Sequence, residues 1–152
     1  MTYRVQTIGF IEETIAPSFT LPSAHDGKPV SLYSFRQRQP VALLFVPWSA
    51  HGPLVLAQVE ALLPGFLDAG AAVLLVTREP ITDAPAVPLV LVDRDGQVFR
   101  RYECHSQSDL CLFGLDRYGA VIHQAACRVE QLGASLRALL DAIEFSERQC
   151  PE

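Results

Sequence analysis

Two groups of side chains in this sequence could carry chemistry. The first lies in F-V-P-W-S-A-H-G-P-L at residues 45–54, where Ser49 and His51 are two positions apart. A serine acts as a nucleophile only beside a base, and histidine is the commonest base. The second is Cys104 and Cys111, spaced C-x6-C, which could form a disulfide or a thiolate with a resolving partner. The alternatives are a helix-capping or solvent-facing role for His51, and a buried structural Cys111 beside an incidental Cys104.

A metal or cofactor site is not expected. The four histidines lie in separate segments and lack a two-ligand spacing such as H-x3-H. The four cysteines include no C-x-x-C pair, which excludes a zinc ribbon and a dithiol redox motif. These residues are His25, His51, His105, His123, Cys104, Cys111, Cys127 and Cys150. We therefore predict no metal and no cofactor.

The apolar runs predict an α/β order of elements. Residues 41–46 are all apolar, as in a central strand buried on both faces, and residues 71–77 form the next strand. Between them we predict a helix that starts at Pro53 and ends at Gly70. A strand, a helix and a strand in this spacing imply a parallel crossover.

The remaining elements follow from turn signals. P-L-V-L-V-D at residues 88–93 predicts a third strand, followed by a D-R-D-G turn and a short helix. Residues 111–116 and 120–127 predict a hairpin around D-R-Y-G, and residues 129–145 predict an amphipathic helix. F-T-L and V-S-L, within residues 15–32, are short strand candidates on either side of A-H-D-G-K-P.

Bulk properties narrow the range of functions. The length of 152 residues predicts one domain, with residues 1–12 and 146–152 as peripheral ends. A net charge of −5 argues against nucleic acid as the main partner. No apolar run is long enough for a membrane span, and no signal peptide is visible, so we expect a cytoplasmic protein. Since 49% of the residues are hydrophobic, we expect self-association, as a homodimer.

The motifs in this order resemble the peroxiredoxin branch (AhpC/TSA, redoxin) of the thioredoxin-like superfamily. The matching segments are A-P-S-F-T-L-P-S, D-G-K-P-V-S-L, P-V-A-L-L-F-V-P-W, V-P-L-V-L-V-D-R-D-G-Q-V-F-R-R-Y and L-F-G-L-D-R-Y-G-A-V-I, within residues 13–143. The resemblance implies a thioredoxin-like α/β fold: a central mixed β-sheet flanked by helices, with a peroxiredoxin-like N-terminal extension. It also implies thiol peroxidase or oxidoreductase activity and a homodimer.

The resemblance fails at the residues that do the family's chemistry. In the motif P-x-x-x-T/S-x-x-C counted from Pro47, the hydroxyl position falls on His51 and the cysteine position on Leu54. Counting with the G-P of the thioredoxin motif W-C-G-P-C gives the same two positions. The family's arginine falls near Leu110. A leucine supplies no thiolate, so this loop lacks the nucleophile.

Two functions remain open, and the sequence leaves it undecided whether the protein is an enzyme. One is a non-catalytic binding module that takes a protein or small-molecule ligand in the loop groove, at Trp48, Ser49, His51 and Leu110. The other is an antioxidant oxidoreductase that reduces peroxides or disulfides with displaced thiols at Cys104 and Cys111.

Overall fold

The computed structural model describes residues 14–104 and 109–149. His105, Cys150 and the predicted peripheral end at residues 1–12 lie outside the described residues.

A five-stranded mixed sheet organises the fold, in the order β5-β4-β3-β6-β7. The strands are β3 (Val41–Phe45), β4 (Ala72–Thr77), β5 (Leu89–Val92), β6 (Leu110–Leu115) and β7 (Val121–Cys127). β3, β4 and β5 run parallel, whereas β6 is antiparallel to β3 and β7 is antiparallel to β6. The predicted central strand and its parallel neighbour β4 are confirmed.

The central strand is apolar throughout because both of its faces are covered. Ala42 and Leu44 face a core shared with two long helices, whereas Leu43 and Phe45 face a second core on the other side of the sheet. Alternating side chains of one strand therefore serve two cores, as expected for a strand buried between two layers.

A short hairpin precedes the main sheet. β1 (Thr20–Pro22) and β2 (Pro29–Ser31) pair antiparallel, as the two strand candidates predict. The turn between them contains Gly27 at φ +76°, a left-handed conformation that glycine adopts without steric cost. An isolated bridge from Ser23 to Leu91 joins the hairpin to β5, so this segment extends the N-terminal side of the fold.

The first long helix begins earlier than predicted. α1 spans Trp48–Asp68, with Pro47 as its N-cap, so the prediction that Pro53 opens the helix is wrong. Pro53 lies in the second turn, where its φ suits the helix but its ring lacks the N–H donor and crowds the carbonyl group of the preceding turn. The start of the helix coincides with the packing of Trp48 against the core. The predicted end is confirmed, because Gly70 follows the helix at φ +78°.

The other helices lie where they were expected. α2 (Gln97–Arg101) is the short helix after the D-R-D-G turn. α3 (Leu132–Gln149) follows a 3-10 turn at Val129–Gln131 and runs beyond residue 145, into the segment predicted to be peripheral. Its last turn is fixed by Glu147, whose Oε1 lies 2.5 Å from Nη2 of Arg117 in the β6–β7 turn. Among the described residues, no helix has the length and apolarity needed to cross a membrane.

Candidate functional site

The loop between β3 and α1 ends in an open helix N-terminus. Pro47 makes no side-chain cap, and the first turn of α1 contains no acidic residue. The first N–H groups of a helix have no partner within the helix, and the helix dipole makes this end positive. The start of α1 is therefore suited to a negatively charged group.

Trp48 has a packing role in this loop. Its indole is half-buried against the core beneath α1. A Cβ atom on Gly52 would lie 2.4 Å from the indole Cδ2, so only glycine permits this approach. The predicted groove residue therefore fixes the first turn of the helix.

Ser49 and His51 do not form a nucleophile–base pair. Both lie in the first turns of α1, and residues two apart on a helix do not face each other. Ser49 is exposed and lines a pocket, whereas His51 is half-buried. Within residues 14–104 and 109–149, no hydrogen bond is found for the His51 ring, so no described group orients it as a base.

Two other predicted residues occupy opposite environments. Leu54 is 54% exposed on the surface of α1, so it does not seal the loop. Leu110 is fully buried at the start of β6 and packs in the core beneath α1 and α3. Leu110 is therefore inaccessible. Its burial corrects the prediction that Leu110 lines the groove.

The structure brings Cys104 and Cys111 together. Both side chains are buried in the same hydrophobic core, with their thiols close enough to interact. The Cys104 Sγ also donates to the Tyr102 carbonyl oxygen at 3.6 Å. Cys111 lies opposite Phe45 in the β3–β6 register, directly beside the strand end that leads into α1. The two predicted thiols are thus adjacent to each other and to the loop.

Burial keeps the Cys104 thiol protonated. Desolvation raises its pKa far above the ordinary value, and the hydrogen bond and charge of Cys111 raise it further. The thiolate is the nucleophilic form of cysteine, so Cys104 is a poor nucleophile in this conformation. Burial also raises the pKa of Cys127, against the opposing hydrogen bond from Ser135.

Aromatic rings enclose the thiol pair. Phe45 lies 5.0 Å from Tyr102 and 5.7 Å from Phe113 between ring centroids. The Tyr102 hydroxyl donates to the Pro17 carbonyl oxygen at 2.5 Å, and burial raises its pKa. These three aromatic residues with Cys104 and Cys111 form one buried unit, which we call the thiol–aromatic cluster.

A pocket of about 440 Å³ opens beside this cluster. It lies where three parallel strands end, because its residues follow β3, β4 and β5 or belong to α2. Ligands of open α/β sheets bind at this edge. Its lining residues are Val46, Pro47, Ser49, Arg78, Glu79, Arg94, Gly96, Phe99, Arg100 and Cys104. We call this the arginine pocket.

The sequence analysis missed the three arginines of this pocket. Arg78, Arg94 and Arg100 are separated by 16 and 6 positions, which matches no motif. The available signal was that Arg78 and Arg94 each come within two residues of the end of a parallel strand. Among the described residues, no three His, Cys, Asp or Glu side chains are grouped closely enough to hold a metal ion.

Known proteins resemble this chain in structure but not detectably in sequence. No protein-family model and no curated protein sequence matches it. A mitochondrial 2-Cys peroxiredoxin from Plasmodium falciparum is 17% identical with a TM-score of 0.73, and the match covers 93% of this chain and 100% of the other. A peroxidoxin from Mycobacterium tuberculosis is 15% identical with a TM-score of 0.71, over 88% and 96%. A Chlorobium tepidum protein assigned as the thiol:disulfide interchange protein DsbE is 24% identical with a TM-score of 0.69, over 89% and 99%.

The fold is peroxiredoxin-like. The mixed five-stranded sheet with flanking helices matches the fold of the solved peroxiredoxin structures, as the sequence motifs predict. These identities, all below 25%, establish the fold alone, because one fold hosts many functions.

Proposed function

We propose that this protein is a non-catalytic binding module on a peroxiredoxin-like fold, with its ligand site at the N-terminal end of α1. One observation carries the proposal: the accessible face of the site presents Ser49 and three arginines, whereas the neighbouring thiols are buried. Binding needs accessible polar groups, and thiol catalysis needs an accessible thiolate.

The α1 segment itself supports this proposal. Residues 47–68 contain no cysteine, so thiol chemistry at the helix start has no nucleophile in place. Leu54, which the motif count aligns with the family's cysteine, has an exposed side chain that supplies no redox group. His51 supplies no thiol either. In this proposal the loop retains its conformation and holds a ligand.

Peroxide turnover tests the proposal. The full-length protein is mixed with hydrogen peroxide or an organic hydroperoxide and a dithiol reductant, beside the double variant Cys104→Ser/Cys111→Ser as a control. We expect the same background rate from both proteins. A rate in the wild type that the double variant loses would refute the non-catalytic function.

A second candidate is a thiol peroxidase that uses the displaced pair, favoured by the shared core of Cys104 and Cys111 and by the position of Cys104 in the pocket lining. The Cys104 sulfur would attack the peroxide O–O bond, forming a sulfenic acid and releasing water from hydrogen peroxide or an alcohol from an organic hydroperoxide. The Cys111 thiol would then displace water to form a disulfide, which an external dithiol reduces. This route needs Cys104 to become exposed and to lose its proton.

Thiol labelling separates the two candidates. A buried, protonated thiol should react with an aromatic disulfide reagent at least about tenfold more slowly than the same thiol in the unfolded chain. We expect this slow reaction for Cys104. Mass spectrometry of the labelled peptide measures its rate. Fast labelling of Cys104 in the folded protein would favour the peroxidase.

We also propose a cytoplasmic homodimer, as the composition and the resemblance imply. The exposed apolar side chain of Leu54, near the start of α1, supports a contact between copies at this face. Size-exclusion chromatography with light scattering checks the assembly. A monomer at tens of micromolar (roughly the range in which weak dimers dissociate) would contradict it.

A further inference from the structure

We infer that the arginine pocket binds a small organic dianion of the phosphate monoester class. The inference deepens the proposed binding function and rests on it. Three guanidinium groups and one carboxylate line the pocket, although the chain as a whole has a net charge of −5. A locally positive cleft on an acidic protein concentrates anions.

The three arginines are available to a ligand. Within residues 14–104 and 109–149, Arg78, Arg94 and Arg100 make no salt bridge and no side-chain hydrogen bond. The one carboxylate in the pocket, Glu79, accepts a hydrogen bond from the Thr77 hydroxyl at 3.2 Å instead of a guanidinium. The donors of all three arginines therefore remain unused.

Several other arginines among the described residues are already engaged. Arg101 donates from Nη1 to the Ser18 carbonyl oxygen at 2.6 Å, and Arg36 donates from Nε to the Tyr118 carbonyl oxygen at 3.1 Å. Arg117 is ion-paired with Glu147. Free guanidinium groups thus converge at this pocket, whereas several elsewhere fix the fold.

Gly96 positions one of the pocket arginines. It is the last residue of the D-R-D-G turn, at φ +74°. A Cβ atom there would lie 2.8 Å from Cζ of Arg78, so the guanidinium rests against the glycine backbone. The absence of a side chain at Gly96 therefore leaves room for Arg78 against the pocket wall. Because Arg78 is held there, its side chain loses less conformational entropy when an anion binds.

The remaining lining defines the class of ligand. Ser49 and the open N-terminus of α1 add hydrogen-bond donors that favour an anion. Arginine forks suit the paired oxygens of a phosphate, and several forks suit its second charge. Pro47 and Phe99, which are half-buried, provide apolar surface for an organic group, in a volume typical of metabolite sites.

Isothermal titration with phenyl phosphate, inorganic phosphate and succinate at low ionic strength tests the inference. We expect phenyl phosphate to bind most tightly. Arg94→Gln should weaken it at least about tenfold, because it removes a charge-assisted hydrogen-bond donor. Arg94→Lys should give an intermediate affinity, since it keeps the charge and loses the fork. The matched control is Arg38→Gln, which removes one exposed arginine outside the pocket and should change the affinity by less than about twofold.

Three results would overturn the inference: no heat of binding with phenyl phosphate, tighter binding of succinate, or equal weakening by Arg38→Gln and Arg94→Gln. Circular dichroism of each variant confirms that the fold is retained. Thiol-dependent peroxide turnover would refute the proposed non-catalytic function without affecting these titrations. Absent phosphate binding would refute only the ligand class.

Discussion

The arginine pocket and the thiol–aromatic cluster meet at Cys104 but differ in their access to water. In the pocket, Arg78, Arg94 and Arg100 are exposed and open to solvent. In the cluster, Phe45 and Tyr102 are almost completely buried. Charge that contacts water is available for recognition, whereas a thiol without water keeps its proton. The proposed binding site and the residues that stabilise the fold therefore lie in adjacent regions.

The largest effect should come from emptying the cluster. Phe45→Ala removes a ring that contacts Phe99, Tyr102 and Phe113, with centroids 5.0 to 5.7 Å away. We expect a loss of about 3–5 kcal/mol in the free energy of unfolding, measured by urea denaturation. Phe145→Ala is the matched control, because Phe145 is 58% exposed. Equal losses from both changes would contradict the buried role of the cluster.

Alkaline pH should give the next largest effect. The folded protein raises the pKa of Cys104 and of Tyr102, whereas in the unfolded chain they ionise near their ordinary values of about 9 and about 10. Their contribution to stability is therefore complete below about pH 9 and is lost as pH rises. Each pH unit above the ordinary pKa costs up to about 1.4 kcal/mol per group.

Urea midpoints across this pH range check the expected loss. Tyr102→Phe also removes the hydrogen bond to Pro17, which lowers stability at every pH. Its diagnostic feature is a shallower decline above about pH 10, where the tyrosine no longer titrates. An unchanged slope in this variant would argue against the burial of the Tyr102 hydroxyl.

A smaller effect is expected at the wall of the pocket. Gly96→Ala places a side chain at φ +74° and crowds the Arg78 guanidinium. The left-handed conformation costs roughly 1–2 kcal/mol for a residue with a Cβ, measurable by thermal or urea unfolding. We also expect weaker phosphate binding, because Arg78 must move. Gly133→Ala, whose added Cβ would lie 3.7 Å from the Gln58 side chain, is the control glycine.

The smallest effect on stability should come from the exposed arginines. Arg100→Gln should change the free energy of unfolding by less than about 0.5 kcal/mol, because an exposed side chain without an ion pair contributes little. The same change should weaken phosphate binding in calorimetry. A large destabilisation would mean that Arg100 supports the fold. The pocket and the cluster would then not differ in their contribution to stability.

The strands and turns were predictable because their signals are local. The all-apolar run at Val41–Phe45 has the composition of a strand covered on both sides, and the two Asp-to-Gly turns need only four residues each. The start of α1 was not predictable from local signals. It depends on a tertiary contact, the packing of Trp48 against Gly52 and the core.

The candidate site was only partly predictable for the same reason. The spacing of Cys104 and Cys111 suggested a pair, and the structure brings these thiols together. Their protonation depends on burial by distant rings, which no motif encodes. The arginine pocket combines side chains from three separate strand ends, so it exists only once β3, β4 and β5 align.

The contact between Trp48 and Gly52 gives the molecule an optical reporter. Trp48 is the sole tryptophan of the chain, and it directly precedes the pocket residue Ser49. Its indole is half-buried, so its emission should depend on how the first turn of α1 is held. Intrinsic fluorescence can therefore follow events at this helix start without an added dye. Gly52→Ala should displace the indole ring and alter the emission spectrum. Such a change would show that the fluorescence reports on the first turn of α1.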